Sequence, residues 1–293
     1  MENRKLKNRR LKNRRLKNFE DEIKHNKSAL FAMLFLIFIV FISIFAFIIP
    51  IDPDLTNTSN ILQSPSLAHI FGTDELGRDY FVRTVYGGRV SLTVGILAMI
   101  ISTSIGVAVG TISGYYGGKI DNILMRIVDI ISSIPWMILV TVISIFLKPG
   151  LQAIIIVIGL FSWMETSRLV RAETLSIKER EYVLYAKSIG EASGKIIFRH
   201  IIPSVFPTII IASTSSIAGA IMTESSLSFL GLGIQPPMSS WGNLLQNAQT
   251  NLQSALYMAL IPGILIILTI YSFNKLGNVL RVLVEPKISG GEN

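Results

Sequence analysis

The stretch EYVLYAKSIGEASGKIIFRHIIP, from Glu181 to Pro203, is rich in polar and ionisable residues and lies between two hydrophobic runs. Its apolar residues recur at mixed three- and four-residue steps, a pattern typical of amphipathic helices. Gly190 and Gly194 interrupt the pattern, and glycine favours bends. The sequence therefore predicts two short helices with a glycine joint, and we call these residues the polar segment. Glu191, next to the joint, is expected to face solvent.

The rest of the chain is far more apolar. Of its 293 residues, 50% are hydrophobic and only 16% are charged, which is unusual for a soluble domain. A helix needs about 20 apolar residues to cross a hydrocarbon core about 30 Å thick. The predicted fold class is therefore all-α, a polytopic membrane protein with about six transmembrane helices. The predicted spans are 28–51, 90–113, 123–147, 149–167, 201–223 and 255–274.

The distribution of basic residues predicts the orientation of these spans. The chain has 27 lysines and arginines, and all but Arg78, Arg83, Arg89 and Lys148 fall in segments assigned to one side of the membrane. Basic residues collect on the cytoplasmic side. We therefore expect both termini to be cytoplasmic, together with a loop at about 165–200 that contains most of the polar segment. The first apolar run is long enough to span, so it is interpreted as an anchor and not as a cleaved signal.

The ends of the chain are predicted to be tails outside a transmembrane domain at 28–286. Residues 1–27 form a basic tail with the repeat LKNRR, LKNRR, LKN, and residues 287–293 form a short C-terminal tail. Repeated leucines five residues apart share no helix face. Basic residues are attracted to anionic membrane lipid, which is the partner we expect for the first tail. Nucleic acid is not expected, because no aromatic residue precedes Phe19.

Catalytic and metal-binding patterns are not found in the sequence. Gly118-Lys119 and Gly194-Lys195 are each followed by isoleucine, where a phosphate-binding loop requires serine or threonine. The three histidines are scattered along the chain, and the chain has no cysteine, so no metal site is predicted. The sequence thus predicts neither an enzyme nor a directly bound cofactor, and no catalytic residue is assigned.

Small and hydroxyl-bearing residues mark two of the predicted spans. Gly106, Gly110 and Gly114 recur at every fourth position, a pattern that lets two helices approach closely. The span at 201–223 is rich in hydroxyl groups, which predicts a polar-lined translocation path. The alternative is that these hydroxyls bond to carbonyls of their own helix. The candidate path residues are Ser213, Thr214, Ser216 and Thr223.

A second segment, Ser225–Asn251, contains no charged residue but is interrupted by glycines and by Pro236 and Pro237. These residues make a regular spanning helix improbable. We call it the charge-free segment and predict a re-entrant or surface-packed loop that frames the external mouth of the path. A Trp241→Ala change in it is expected to weaken uptake.

The polar segment resembles the cytoplasmic loop of the membrane permeases of ABC importers. That family has the pattern EAA, three residues, Gly, nine residues, then I-x-L-P. The matching positions here are Leu184-Tyr185-Ala186, Gly190, and His200-Ile201-Ile202-Pro203, with departures at Leu184, Tyr185, His200 and Ile202. The stretches FGTDELGRDYFVRTVYGGRVSL (71–92) and SFLGLGIQPPMSSWGNLL (228–245) are similar to the oligopeptide/dipeptide importer branch, in its C-type subunit.

The resemblance implies a type I ABC importer permease in a bacterial plasma membrane. Its partners would be a B-type permease subunit, two ABC ATPase subunits that carry ATP and Mg, and an extracellular solute-binding lipoprotein. External segments at 52–89 and 224–254 would contact that lipoprotein. The cargo would be oligopeptides or dipeptides; nickel or a metal chelate remains an alternative, and a free-standing channel is a more distant one. The implied ATPase-coupling residues are Leu184, Tyr185, Ala186, Gly190, His200 and Pro203.

Overall fold

The computed structural model of the chain describes residues 26–147 and 150–284. In these ranges the chain is helical, and the β-type pairing within them is an isolated bridge between Thr73 and Asp79. The prediction of an all-α fold is therefore confirmed. The two predicted tails lie outside the described residues, apart from Asn26 and Lys27.

The helices of the described residues are long in the hydrophobic runs and short in the polar segment. In chain order they are α1 (Lys27–Ile44), α2 (Tyr80–Tyr116), α3 (Gly118–Ser132), α4 (Trp136–Phe146), α5 (Leu151–Phe161), α6 (Trp163–Ile177), α7 (Glu181–Ser188), α8 (Ser193–Ile196), α9 (Ile202–Phe229), α10 (Trp241–Ala248) and α11 (Tyr257–Val284). Single turns of 3₁₀-helix lie at Phe45–Ile48, Thr58–Asn60 and Gln249–Asn251, and one turn of π-helix joins α8 to α9 at Ile197–Ile201.

Five helical stretches of the described residues are long and apolar enough to cross a membrane. They are Lys27–Ile48, Tyr80–Tyr116, Leu151–Ile177, Ser193–Phe229 and Tyr257–Arg281. Each overlaps one of the predicted spans, and most extend beyond the predicted bounds because polar residues continue the helix past the apolar run. The chain is thus a multi-pass membrane protein.

The predicted span at 123–147 differs from the structure. It contains parts of two helices, α3 and α4, separated at Ser133–Pro135. Proline lacks a backbone N–H and disfavours helical geometry in the residue before it, so the helix ends one turn before Pro135. The hydrophobic run is continuous there, although the helix is not.

Helix α2 is the centre of the bundle. Its N-terminus is capped by Asp79, whose carboxylate accepts a hydrogen bond from the backbone N–H of Val82 at 3.0 Å. With 37 residues it is about 55 Å long, well over the thickness of a hydrocarbon core. It packs against α1, α3, α5, α6 and α9, while α11 packs against α1 and α9.

The buried apolar side chains form separate clusters. One joins α1, α2, α9, α10 and α11 around Trp241, and a second joins α2, α4, α5 and α9. The third joins α6, the polar segment and α9. The polar segment is thus attached to the bundle by a core of its own.

Candidate coupling surface and translocation cavity

The polar segment buries one face against the bundle. Five of its apolar side chains are buried together with side chains of α6 and α9, and they are Val183, Ala186, Ile196, Ile197 and Ile201. Val170 and Ile177 of α6 and Val205 of α9 complete this cluster. Because the buried positions come from both short helices, the polar segment is held as a fixed structural unit.

The opposite face of α7 carries large apolar side chains that are exposed. Tyr182, Tyr185 and Ile189, at positions i, i+3 and i+7, have 45%, 68% and 63% of their surface exposed. Such spacing places side chains on one helix face. We call these three residues the apolar ridge. Exposed apolar patches on ordered structure are typical of surfaces that bind a partner.

Gly190 lies directly after the apolar ridge and ends α7. Its φ angle is +78°, in the left-handed region that glycine adopts without steric cost. Its N–H donates to the carbonyl of Lys187, and the N–H of Glu191 donates to that of Ala186, both at 3.1 Å. A Cβ built on Gly190 has no atom within 4 Å. The surface at the joint is therefore open for a second chain to approach.

The expectation that Glu191 faces solvent is wrong, because its carboxylate contacts two basic side chains of the polar segment. Oε2 of Glu191 lies 3.0 Å from Nε2 of His200, and Oε1 lies 3.5 Å from Nζ of Lys195. Desolvation opposes ionisation of this carboxylate, but the hydrogen bond with His200 and the charge of Lys195 outweigh it and lower the pKa of Glu191. The joint is therefore tied to the residues that precede α9.

The predicted coupling residues take different places in this unit. Leu184, Tyr185 and Gly190 are exposed on one surface, whereas Ala186 is buried beneath it. His200 is half-buried and joined to the same surface through Glu191. Pro203, also exposed, lies in the first turn of α9, where the missing N–H of proline is tolerated.

The three predicted packing glycines bring α2 against α6. A Cβ built on Gly106 is 2.7 Å from Cβ of Thr166, and one on Gly114 is 2.7 Å from Cβ of Thr174. At Gly110 the corresponding distance to Cβ of Val170 is 2.9 Å. Real side chains do not approach so closely, so larger residues would push the helices apart. The sequence indicated the glycine face but not its partner, which is one face of α6.

A cavity of about 660 Å³ lies where α3–α4, α5–α6 and α9 meet. Of the predicted path residues, Ser216 and Thr223 line it, and Ser216 also lies 3.1 Å from the hydroxyl of Ser102. Ser213 and Thr214 do not line it; their hydroxyls donate to the carbonyls of Ile209 and Ile211 at 2.8 and 2.9 Å. Ser216 and Thr223 are thus cavity-lining residues, whereas the hydroxyls of Ser213 and Thr214 bond to carbonyls of their own helix.

An ion pair that the sequence did not indicate links α3 to α6. Nε and Nη2 of Arg171 lie 2.5 and 2.6 Å from the two carboxylate oxygens of Asp121, and Ser113 of α2 also donates to Asp121. The hydrogen bonds from Arg171, which outweigh desolvation, lower the pKa of Asp121. The pair comes from residues 50 positions apart, so no local pattern predicts it. It fixes the ends of three helices near the polar segment.

The charge-free segment is packed into the bundle and does not span it. Trp241 of α10 is fully buried, its Nε1 donates to the carbonyl of Thr84 at 3.0 Å, and its backbone N–H donates to Ser91 at 3.2 Å. The indole therefore cannot contact a partner protein itself. A Trp241→Ala change would act through the packing of α10.

Glu224, at the start of the predicted external segment, is instead a fully buried residue of α9. The hydroxyls of Ser91 and Ser228 donate to its two carboxylate oxygens at 3.0 and 2.8 Å. Both hydroxyls also accept backbone N–H groups of the charge-free segment, from Trp241 and Ile234. Glu224 thus anchors this segment to α2 and α9.

The other predicted external segment, before α2, is held by a buried charge cluster. Arg78 and Arg83 lie 2.6 and 3.4 Å from the carboxylate of Asp74, and Arg83 also lies 2.9 Å from that of Asp54. Tyr257 of α11 donates to the carbonyl of Thr73 at 2.6 Å. The segment is therefore ordered and joined to the same end of the bundle as α10. Among the described residues, no group of three or more His, Cys, Asp or Glu side chains is arranged to hold a metal ion.

Comparisons with known proteins agree with this architecture. Residues 106–290 match the family model of the binding-protein-dependent transport system inner membrane component, and residues 20–65 match the N-terminal transmembrane domain of oligopeptide transport permease C. The dipeptide transport system permease protein DppC of Bacillus subtilis is 39% identical over 91% of this chain and 84% of its own length.

Two further relatives and one solved structure extend the comparison. The oligopeptide transport system permease protein OppC of Haemophilus influenzae is 39% identical over 89% of this chain and 85% of its own. The glutathione transport system permease protein GsiD of Escherichia coli is 38% identical over 91% of this chain and 89% of its own length. A chain of the MetNI methionine ABC transporter, in an inward-facing conformation, shares the fold with a TM-score of 0.59 and 19% identity over 69% of this chain and 97% of that chain. The chain belongs to the family of inner membrane components of binding-protein-dependent transport systems, in the branch of the oligopeptide transport permease C proteins.

Proposed function

We propose that this chain is the C-type permease subunit of an ATP-driven importer of dipeptides or oligopeptides. It would form the translocation path together with a B-type permease subunit. Two cytoplasmic ABC ATPase subunits would bind and hydrolyse ATP with Mg, and an extracellular solute-binding lipoprotein would deliver the cargo. Membership of the family supports this assembly, as does the absence of a phosphate-binding loop from the sequence.

The observation that carries the proposal is the apolar ridge beside Gly190. The ridge is exposed on a segment that is itself fixed by a buried core, so its exposure does not result from disorder. A rigid apolar surface next to an open glycine suits insertion into a cleft of another protein. We assign the ridge to the ATPase subunits and Gly190 to the point of closest approach.

The connection between this surface and the cavity also supports a coupling role. Helix α6 lines the cavity at its N-terminal end and leads directly into the polar segment at its C-terminal end. The glycine face of α2 and the Asp121–Arg171 pair hold α6 along this length. Movement of packed, rigid elements can transmit a change at one end to the other. Closure of the ATPases would thus alter the cavity by moving α6.

The orientation follows from the basic residues of the sequence. We assign the polar segment and both termini to the cytoplasm and the membrane to the bacterial plasma membrane. The charge cluster around Asp74 and the exposed part of the charge-free segment lie together at the other end of α2 and α9. They would frame the external mouth and meet the binding lipoprotein.

The proposed cargo is peptide, because the relatives named above are permeases for dipeptides, oligopeptides and glutathione. Nickel or a metal chelate has no comparable support. The test is uptake into proteoliposomes that contain the complete transporter with this chain. We expect ATP-dependent accumulation of a labelled dipeptide and none of ⁶³Ni²⁺. Uptake of nickel without peptide would contradict the assignment, and peptide uptake that persists without this chain would remove it from the path.

A further inference from the structure

The cavity is lined by two ionisable side chains, and both of them are exposed. Glu165 and Arg168 of α6 both line it. Their neighbour Thr166 packs on Gly106 of α2, ten residues before the helix ends at Tyr116, which is roughly 15 Å of helix. Ionisable side chains that line a cavity in a membrane protein often mark a substrate path.

Two helix breaks meet at the same cavity. The break between α3 and α4 contributes Ser133 and Pro135, and the bend between α5 and α6 contributes Ser162. Irregular backbone at membrane depth is tolerated where it lines a cavity, and interrupted helices mark the binding sites of many transporters. The volume also falls in the range of small-molecule sites. The cavity therefore has the shape and the polar backbone of a substrate station.

The two charged side chains of the lining differ in whether they have a partner. Nη2 of Arg168 lies 2.9 Å from Asp129 and 3.3 Å from the hydroxyl of Ser132, so its charge is compensated by α3. The side chain of Glu165, by contrast, has no hydrogen bond or ion pair with the side chains and backbone that the structure describes. Because Asp129 neutralises Arg168, the carboxylate of Glu165 is the charge of the lining that stays available to a ligand. Such a site favours a cation over an anion.

The other lining groups fit the remainder of a peptide. Helix α9 contributes three hydroxyl groups to the lining, those of Ser215, Ser216 and Thr223. Hydroxyl groups can form hydrogen bonds with the amide groups of an extended peptide backbone. Apolar side chains complete the lining and suit a range of substrate side chains; they are Ile134, Trp136, Leu139, Phe161, Leu169 and Ile211. The cation that every unmodified peptide carries, whatever its sequence, is its N-terminal ammonium group.

We infer that this cavity is a transient binding station for peptides and that Glu165 binds their N-terminal ammonium group. The inference rests on the proposed function and adds a recognition step within the membrane, separate from selection by the binding lipoprotein. The carboxylate would bind the ammonium group while the hydroxyls of α9 hold the backbone. Peptides with a blocked N-terminus would lose the charged contact and bind the station less tightly.

A cysteine-protection experiment tests the station without the binding lipoprotein and without ATP. The sequence has no cysteine, so a Ser215→Cys change puts a single thiol on the exposed, cavity-facing side of α9 in this chain. The purified permease–ATPase complex, with any cysteines of its partner subunits replaced, is treated with a thiol reagent while alanyl-alanine or N-acetyl-alanyl-alanine is titrated. We expect the dipeptide to slow labelling at concentrations about tenfold lower than the acetylated peptide.

Two charge variants in the same background identify the carboxylate. Glu165→Gln is expected to raise the half-protecting concentration of alanyl-alanine about tenfold and to abolish the preference over the acetylated peptide, whereas Glu165→Asp retains part of it. Glu173→Gln, two turns further along α6 and away from the cavity, is the matched control and should leave protection unchanged.

Several outcomes would overturn the inference. They are equal protection by both peptides, no effect of Glu165→Gln, an unreactive Ser215→Cys, and loss of the partner permease from the Glu165→Gln complex. The last would make Glu165 an interface residue. Failure of the proposed function is a different result, namely no ATP-driven peptide uptake by the unmodified transporter.

Discussion

The polar segment and the charge-free segment both interrupt the hydrophobic helices, yet the first exposes a large aromatic side chain and the second buries one. Tyr185 of the polar segment has 68% of its surface exposed, whereas Trp241 of the charge-free segment has none. Each segment contains at least one short helix and a glycine with a positive φ angle, Gly190 in the first and Gly231 in the second. Their difference therefore lies in how each satisfies its polar groups.

The polar segment relies on charged side chains, and the charge-free segment relies on hydroxyl and amide groups. Glu191 pairs with Lys195 and His200 on one surface, while Ser240 caps α10 by accepting from the N–H of Asn243 at 3.1 Å. Charges are stable next to water, but neutral hydrogen bonds can be buried at little net cost. The first arrangement leaves an apolar face available to a partner, and the second forms part of the core.

The strongest test of the comparison is an all-or-none one, because the two segments should lie on opposite sides of the membrane. Leu67, fully exposed in the segment before α2, marks the side of the charge-free segment, and Ser188, exposed at the end of α7, marks the other. In intact cells a cysteine at Leu67 should react with an impermeant thiol reagent, and a cysteine at Ser188 should react only after permeabilisation. The reverse pattern would place the apolar ridge outside the cell.

Removing the aromatic side chain from each segment should affect stability very unequally. Trp241→Ala deletes a fully buried indole and its hydrogen bond to Thr84, and such truncations cost about 3 to 5 kcal/mol. Tyr185→Ala removes an exposed ring and should change stability by less than about 0.5 kcal/mol. Urea unfolding of the purified permease pair measures both. Similar losses for the two variants would contradict the assignment of one segment to the core and the other to a docking surface.

At Gly190 the expected defect is in association and not in insertion. Leucine is strained at φ +78° and adds a side chain where the partner approaches, which together cost about 1 to 3 kcal/mol, or roughly five- to 150-fold in affinity. Gly190→Leu should enter the membrane and bind its permease partner but lose ATPase subunits on purification. Gly190→Asn tolerates this backbone geometry and separates strain from bulk: it should retain more ATPase than the leucine variant. Full ATPase retention by Gly190→Leu would remove the joint from the interface.

The smallest effect is expected at Glu191. The pKa of its carboxylate is lowered in the fold from an ordinary value of 4.5, so its contribution to stability is present above that value and is lost as the pH falls through the lower, folded pKa. Hydrogen exchange of α8 should therefore quicken below about pH 4.5 in the wild type. Glu191→Gln should exchange modestly faster at neutral pH and lose this acid-dependent step. An identical pH profile in both proteins would show that the ionised Glu191 carboxylate does not stabilise α8.

The hydrophobic runs predicted most of the fold, because apolar length alone distinguishes a spanning helix. The break at Ser133–Pro135 escaped this reasoning, since the run remains apolar while the backbone changes direction. Pro135 was the residue from which the break could have been predicted. The irregularity of the charge-free segment was predictable from its glycines and prolines, but the burial of Trp241 was not, because it requires contacts from α2 and α11.

Charged residues at the edges of apolar runs were the least predictable part of the candidate site. Hydropathy places Glu165 and Glu224 at span boundaries. Glu165 lies in the first turn of α6, just after the bend at Ser162, and Glu224 lies inside α9. Their surroundings come from residues far away in sequence: Ser91 donates to Glu224 across 133 positions. The proposed coupling residues were easier to select, because Leu184 to Gly190 lie within one short stretch whose spacing can be read directly.

The central claim is that the apolar ridge is covered by the ATPase subunits, and a footprint of Tyr185 tests it most directly. A single cysteine at Tyr185, in a transporter whose other subunits lack cysteine, is labelled in the purified permease pair before and after ATPase subunits are added. The cysteine at Leu67 serves as the matched control. The account predicts that added ATPase suppresses labelling at Tyr185 and leaves Leu67 unchanged. Undiminished labelling at Tyr185 in a complex shown to contain both ATPase subunits would contradict it.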